Sequence, residues 1–336
     1  MATGFDQDQK QPLGIGLIGT GFVAKLRADA FTNDSRSQVV AVTGHSPEKV
    51  QTFAQAHAIE TVSPNEQALV QRSDVDLVVV CHVNRDHGAA VRKALEAGKS
   101  VVVEYPLSLS PKEAGELIEL AQQKQVLLHV EHIELLGGLH QAMVEHLPKV
   151  GTPHYVRYCT AVPQNPVPEK WTYHTELFGF PLSGALSRIH RLTNLFGAVR
   201  WVASQIQYDN AAVPPQNRYF KQCRCVAQLR FQSGLMAEVL YAKGEQTWRS
   251  QRWMDVEGDH GALVFEGNQG KLISADGETA IEVGSRRGLF AKDTAYVLDA
   301  LWEGRPLYVT PNESLYALQV AAAAAESAAT GRIVEL

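Results

Sequence analysis

Between residues 13 and 135 short apolar runs alternate with amphipathic stretches. LGIGLIG precedes FVAKLRADAF, QVVAVTG precedes PEKVQTFAQAHA and DLVVVCHV precedes HGAAVRKALEAG, with VVVE and VLLHVEH following. Strands that are apolar on both faces are stable only where both faces are covered, and the intervening helices supply that cover. The pattern therefore predicts an α/β fold whose N-terminal part, residues 13–135, is a Rossmann-type doubly wound parallel sheet. Ser63-Pro64-Asn65-Glu66 and Ser110-Pro111-Lys112-Glu113 each read as a helix start with Ser at the N-cap, Pro first and Glu third. Gly98 falls where a helix C-cap belongs.

Gly19-Thr20-Gly21-Phe22-Val23-Ala24 forms GxGxxA between the first strand and the first helix. Gly19 permits the tight turn, Gly21 lets a pyrophosphate approach the backbone, and Ala24 permits close helix–strand packing, which predicts dinucleotide binding at Gly19, Gly21, Phe22, Val23 and Ala24. A site preferring NAD places a carboxylate at the end of the second strand, where it meets the ribose 2′-hydroxyl. Here that position reads Gly44-His45-Ser46. His45 and Ser46, with Lys49, can donate to a 2′-phosphate, so NADPH is the expected cofactor and NADH a poorer one; Ser46 can also cap the helix begun by Pro47. His82 and Asn84, at the carboxyl end of the fourth strand, are further expected cofactor contacts. His87 is either another contact or simply the start of the next helix.

From about residue 152 the period changes to two. CRCVAQLRF sets Cys223, Cys225, Ala227, Leu229 and Phe231 on one face and Arg224, Gln228 and Arg230 on the other. HYVRYCTA, WVASQIQYD, LMAEVLYAK, RWMDVEG and ALVFEG behave similarly, so residues 136–336 are expected to form an α+β domain with a large, open, mostly antiparallel sheet and a C-terminal helix at about 313–329. Residues 1–12 read as a disordered lead-in, lacking the basic and apolar regions of a signal peptide.

With 36 acidic against 31 basic residues and a net charge of −5, the chain is not built for nucleic acid. No apolar run is long enough for a membrane span, and a cytoplasmic protein is expected. Cys81, Cys159, Cys223 and Cys225 lack CxxC spacing and read as small buried residues. Glu131, His132 and Glu134 crowd one strand end, but their spacing suits hydrogen bonding around a site, and no metal is expected. Residues 164–197 gather Trp171, Tyr173, Phe178 and Phe180 with Lys170, His174, Arg188, His190 and Arg191. Such a set suits a flat, conjugated, anionic ligand; the alternative is a helix pair with an aromatic core and solvated arginines.

Together these motifs resemble the glucose-fructose oxidoreductase and inositol dehydrogenase superfamily. Its sugar-dehydrogenating members carry Glu-Lys-Pro after the fifth strand and later an Asp and a His four apart. This chain has Glu104-Tyr105-Pro106, with Ser183 and Ser187 at the later positions, so the proton-handling set for sugar oxidation is missing. Glu-Tyr-Pro, LHVEHIELL, GFP and Ser187-Arg188 before LFG are similar to biliverdin reductases, the cyanobacterial type above all through QNPVPEKWTYH, YAKGE and GSRRGLF. The resemblance implies NADPH-dependent reduction of biliverdin to bilirubin. It implies Arg188, Tyr105 and Glu104 as catalytic residues, Glu104 also on the cofactor side, and Tyr105, His129, His132, Lys170, Trp171, His174, Arg188 and Arg191 as substrate contacts, with Arg286 and Arg287 as further propionate partners. A monomer or weak homodimer is expected. The alternatives are an NADP-dependent oxidoreductase acting on a sugar or cyclic carbonyl, and a non-catalytic nucleotide-binding regulator.

Overall fold

The computed structural model describes residues 11–209 and 218–336, which divide into two compact units. The lead-in expected over 1–12 lies outside the described residues but for its last two. The first unit runs to Ile133 and takes in Gly288–Leu315; the second comprises Glu134–Arg287 and Tyr316–Leu336.

In the first unit a parallel sheet is built from β1 (Leu13–Ile18), β2 (Ser37–Thr43), β3 (Thr61–Val62), β4 (Leu77–Val80), β5 (Ser100–Glu104) and β6 (Leu128–Glu131), in the order β3-β2-β1-β4-β5-β6. Order reverses on either side of β1, which opens the ligand crevice at the strand carboxyl ends. Helices α1 (Phe22–Thr32), α2 (Pro47–Ala56), α3 (Glu66–Val70), α4 (His87–Glu96) and α5 (Pro111–Lys124) connect the strands. β1 and β4 are buried at every residue, which explains their unbroken apolar character.

Ser110 caps α5 as expected, accepting from the Glu113 amide at 3.3 Å. The start of α3 differs. Asn65 is the N-cap, accepting from the Ala68 amide at 2.8 Å, whereas Ser63 continues the strand by donating its amide to Val42. Ser63 still takes part in the pairing of β3 with β2, so the helix begins two residues later and Asn65 takes the cap. The crossover segment Gly288–Leu315, which the periodicity assigned to the second domain, contributes α10 (Leu289–Glu303) to this unit, with Val297 and Leu298 in its core.

The second unit opens with α6 (Gly138–His146) and β7 (Pro153–Pro163), passes through three short helices, α7 (Thr175–Phe178), α8 (Pro181–Gly184) and α9 (Ser187–Phe196), and then adds β8 (Val199–Tyr208), β9 (Gln222–Phe231), β10 (Met236–Gly244), β11 (Gln251–Gly258), β12 (Gly261–Glu266), β13 (Gln269–Ser274) and β14 (Gly277–Glu282). A nine-stranded sheet results, ordered β14-β13-β12-β11-β7-β10-β9-β8-β15, with β15 being Val334–Glu335. It is antiparallel except where β10 pairs β7. Cys223, Cys225, Ala227, Leu229 and Phe231 are buried together as the alternation predicts. Helix α11 (Pro311–Thr330) turns Ala317, Leu318, Val320, Ala321 and Ala324 inward, and Ser327 accepts from the Ser204 amide of β8.

Candidate active site

At the end of β1 the chain turns through Gly19, whose φ is +126°; a Cβ there would sit 2.6 Å from the Cys81 carbonyl oxygen. A Cβ on Gly21 would meet nothing within 4 Å, so this N-cap of α1 keeps open the space a pyrophosphate needs at the helix N-terminus. Ala24 is fully buried against the sheet, and Phe22 is 77% exposed. A groove of about 710 Å³ beside the loop is lined by Thr20, Gly21, Phe22, Lys25 and Lys49 among others.

Beyond β2 the exposed His45 stacks on His82 at 5.8 Å between centroids, and His82 stacks on His87 at 5.4 Å. His82 lies 3.4 Å from Glu66, whose carboxyl is pulled down to about 2 by that hydrogen bond and by Lys93 against the effect of burial. Ser46 occupies the N-cap position of α2, but its side chain makes no capping bond. His87 does begin α4; it is buried, bonded to the Pro106 carbonyl at 2.8 Å, and pushed down to about 4 chiefly by burial, so it is neutral at pH 7. Asn84 is buried in the turn Asn84–Asp86.

Glu104, closing β5, is held by a charge network that spacing did not reveal. Arg27, fully buried on α1, donates Nε to Glu104 at 2.8 Å and Nη1 to Asp293 of α10. Asp293 also accepts from Tyr308 at 2.6 Å and bonds His129 at 2.8 Å. Burial works against both charges, but Arg27 and His129 hold the Asp293 carboxyl well below its usual range, and the surrounding carboxylates hold Arg27 above its own. His129, expected among the substrate contacts, is thus fully buried and committed to Asp293. Tyr105 stacks on His132 at 5.3 Å and 9°, and His132 bonds Ser314 at 2.8 Å. Asp293 and Tyr308 were missed because they lie in the crossover segment, remote in sequence from every motif.

In the second unit Arg188 lies in the first turn of α9. It donates Nη1 to Ser187 at 2.9 Å and lies 5.5 Å from the Tyr241 ring centroid. Arg191, one turn on, is buried with its guanidinium 5.9 Å from the Tyr158 ring. Partial desolvation, and then the like charges of Arg286, Arg188 and Arg191, lower the pKa of Arg252 on β11. Lys243 of β10 adds another buried cation. Neither Arg252 nor Lys243 was singled out from the sequence, although the two-residue period of β10 places Lys243 on the inward face with Val239 and Tyr241. Trp171 is half-buried and tilted against Phe178 at 6.0 Å, Lys170 is exposed, and His174 caps α7 by accepting from the Glu176 and Leu177 amides at 3.2 and 3.3 Å. Ser183 and Ser187 are both buried. Among the described residues no helix is long and apolar enough to cross a membrane.

One unit thus offers a dinucleotide loop and the other a cationic, aromatic-lined face, which is the division of labour of a nicotinamide-dependent oxidoreductase. Residues 13–132 match the model of an oxidoreductase family with an NAD-binding Rossmann fold, and 148–336 match that family's C-terminal alpha/beta domain; the chain belongs to this family. Among solved structures it is similar to the biliverdin reductase of Synechocystis sp. PCC 6803 in complex with biliverdin and NADP+. The two are 46% identical over 95% of this chain and all of that one, with a TM-score of 0.91. Biliverdin reductase A of Mus musculus is 30% identical over 60% of this chain and 63% of its own length, and that of Homo sapiens is 32% identical over 46% and 47%. The matched stretch thus spans between about half and three fifths of those mammalian relatives.

Proposed function

We propose that this oxidoreductase reduces biliverdin to bilirubin with NADPH. The observation that carries the reading is the set of mutually repelling cations, Arg188, Arg191, Arg252 and Arg286, beside the rings of Tyr158 and Tyr241. A planar tetrapyrrole with two propionates would meet these cations with carboxylates and the neighbouring rings with a π surface. The likeness to the Synechocystis enzyme supports the same choice.

The glycine loop and the α1 N-terminus receive the pyrophosphate. His45, Ser46 and Lys49 are the donors offered to a 2′-phosphate, with no carboxylate at the end of β2 to repel it. Bound NADPH supplies the hydride that the central methine carbon accepts, and a proton reaches a pyrrole nitrogen. Arg188 stabilises charge on the bilin and orders the proton source rather than giving up its own proton, because a guanidinium stays charged at neutral pH. Glu104, bonded to Arg27, positions the nicotinamide side. Tyr105 offers a ring and a neutral hydroxyl where the sugar enzymes have a lysine. Holding donor and acceptor carbons at about 3 to 3.5 Å is a large part of the rate.

The test is a visible absorption time course of protein with biliverdin, run with NADPH and with NADH. Decay of the biliverdin band into a bilirubin band, faster with NADPH, is the expected result. Binding without reduction would leave a bilin carrier or regulator, and absence of binding would return the substrate to the sugars and cyclic carbonyls.

A further inference from the structure

Lys243 is 5% exposed at the end of β10, inward-facing with Ala237, Val239 and Tyr241. Its ammonium sits in a cage of rings, 4.1 Å from the centroid of Phe178, 4.4 Å from Tyr173, 5.2 Å from Phe220 and 5.8 Å from Tyr241. Among the described residues its charge is met by these negative ring faces rather than by a carboxylate. Its Nζ donates to the carbonyl of Thr172, at the centre of the turn Trp171–Tyr173. A methionine would fill the same volume without the cost of burying charge, so packing alone does not explain an amine here. What the amine adds is a directed bond to one backbone carbonyl and an attraction that draws rings from the turn, from α7, from the approach to β9 and from β10 onto one point.

We propose that Lys243 is a positioning residue of the substrate-binding half: it clamps the Trp171–Tyr173 turn to β10 and so fixes the backbone that presents Lys170 and Trp171 to the bilin. This rests on the biliverdin reading for the identity of the ligand, not for the clamp itself. Phe178 links the two roles, because it receives the ammonium on its ring and packs against Trp171. Tyr241 does the same on the other side, lying near both Lys243 and Arg188.

Burial lowers the Lys243 pKa to about 8, with Arg188 adding to the effect and Cys223 opposing it, so the clamp has an internal test. The other ionisable groups around it do not compete. Cys223 and Cys225 of β9 are pushed up by burial to about 11 and about 12, Tyr173 and Tyr208 are raised by burial too, and Arg188 stays charged. Glu176, on α7, is exposed, and His174 gives its Nδ1 to the α7 cap.

Hydrogen exchange over residues 170–178 is compared in the wild type, Lys243→Met and Lys243→Arg, and in the wild type on either side of about pH 8 after correction for intrinsic exchange. Lys243→Met should speed exchange in this segment about tenfold, leave the rest of the unit unchanged, and raise the biliverdin KM about tenfold with the NADPH KM unmoved. Lys243→Arg should restore part of both, and wild-type protection of this segment should rise between about pH 8 and 10.5, because opening the cage returns the amine to its ordinary pKa. Unchanged exchange in Lys243→Met together with a flat pH response overturns the clamp, as does loosening spread across the whole unit. A wild type inert towards biliverdin removes the substrate reading, while the exchange result still decides the clamp.

Discussion

Arg27 and Lys243 are both buried cations, and the two units neutralise them in opposite ways. Arg27 has two carboxylates within hydrogen-bond reach and stays charged at any pH at which the protein folds. Lys243 has rings and one carbonyl, and titrates near neutrality. A charge paired with charge makes a rigid post under the cofactor side, suited to holding Glu104. A charge held by quadrupoles makes a softer tie, in keeping with the proposed role of presenting Lys170 and Trp171 to a ligand.

The hardest way to break the first post is to remove one member. Asp293→Asn leaves Arg27 and His129 facing a neutral amide and should cost about 3–5 kcal/mol, read as a fall in the urea midpoint. Losing the partner of Lys243 has no equivalent, which is why its charge is better probed by pH. A lysine whose pKa is lowered on folding makes the fold bear a cost that is complete below the folded value, shrinks as pH rises from about 8 towards 10.5, and is gone above the unfolded value. Wild-type stability should therefore gain on Lys243→Met by up to about 3 kcal/mol across that window, measured by denaturation at each pH.

The first unit responds at the other end of the scale. The Glu66 and Asp293 carboxyls are depressed, so their contribution is present above the ordinary carboxylate range and is lost as pH falls through it, to about 2 for Glu66. Exchange protection at falling pH should fail first around β5 and α10 rather than in the ring cage. A smaller effect is expected of Glu104→Gln, which keeps the shape but loosens the ion pair with Arg27. It should raise the NADPH KM about tenfold, equivalent to about 1.4 kcal/mol, and leave the biliverdin KM alone. The smallest is Tyr105→Phe, which keeps the ring stacked on His132; full turnover in that variant would show that the hydroxyl takes no part in the chemistry.

The features legible in the sequence are those whose physics is local. GTGFVA between a strand and a helix, Ser110 as a cap, the buried row from Cys223 to Phe231, and the replacement of lysine by Tyr105 each declare themselves within a few residues. Strands β13 and β14 escaped the same reading because β14 is largely exposed, β13 buries no residue fully, and neither has the apolar alternation that marks a half-buried strand. Ser63 looked like a cap, but it stays in the strand pairing and the role passes to Asn65. Only the tertiary structure could decide that α10 returns to the first unit and that Asp293, 266 residues from Arg27, closes the network around Glu104. The same is true of Lys243: period two shows that it points inward, but the rings that make an inward charge tolerable come from separate elements. Local propensity is written residue by residue, whereas the partner of a buried charge is set by which distant segments the packing brings together.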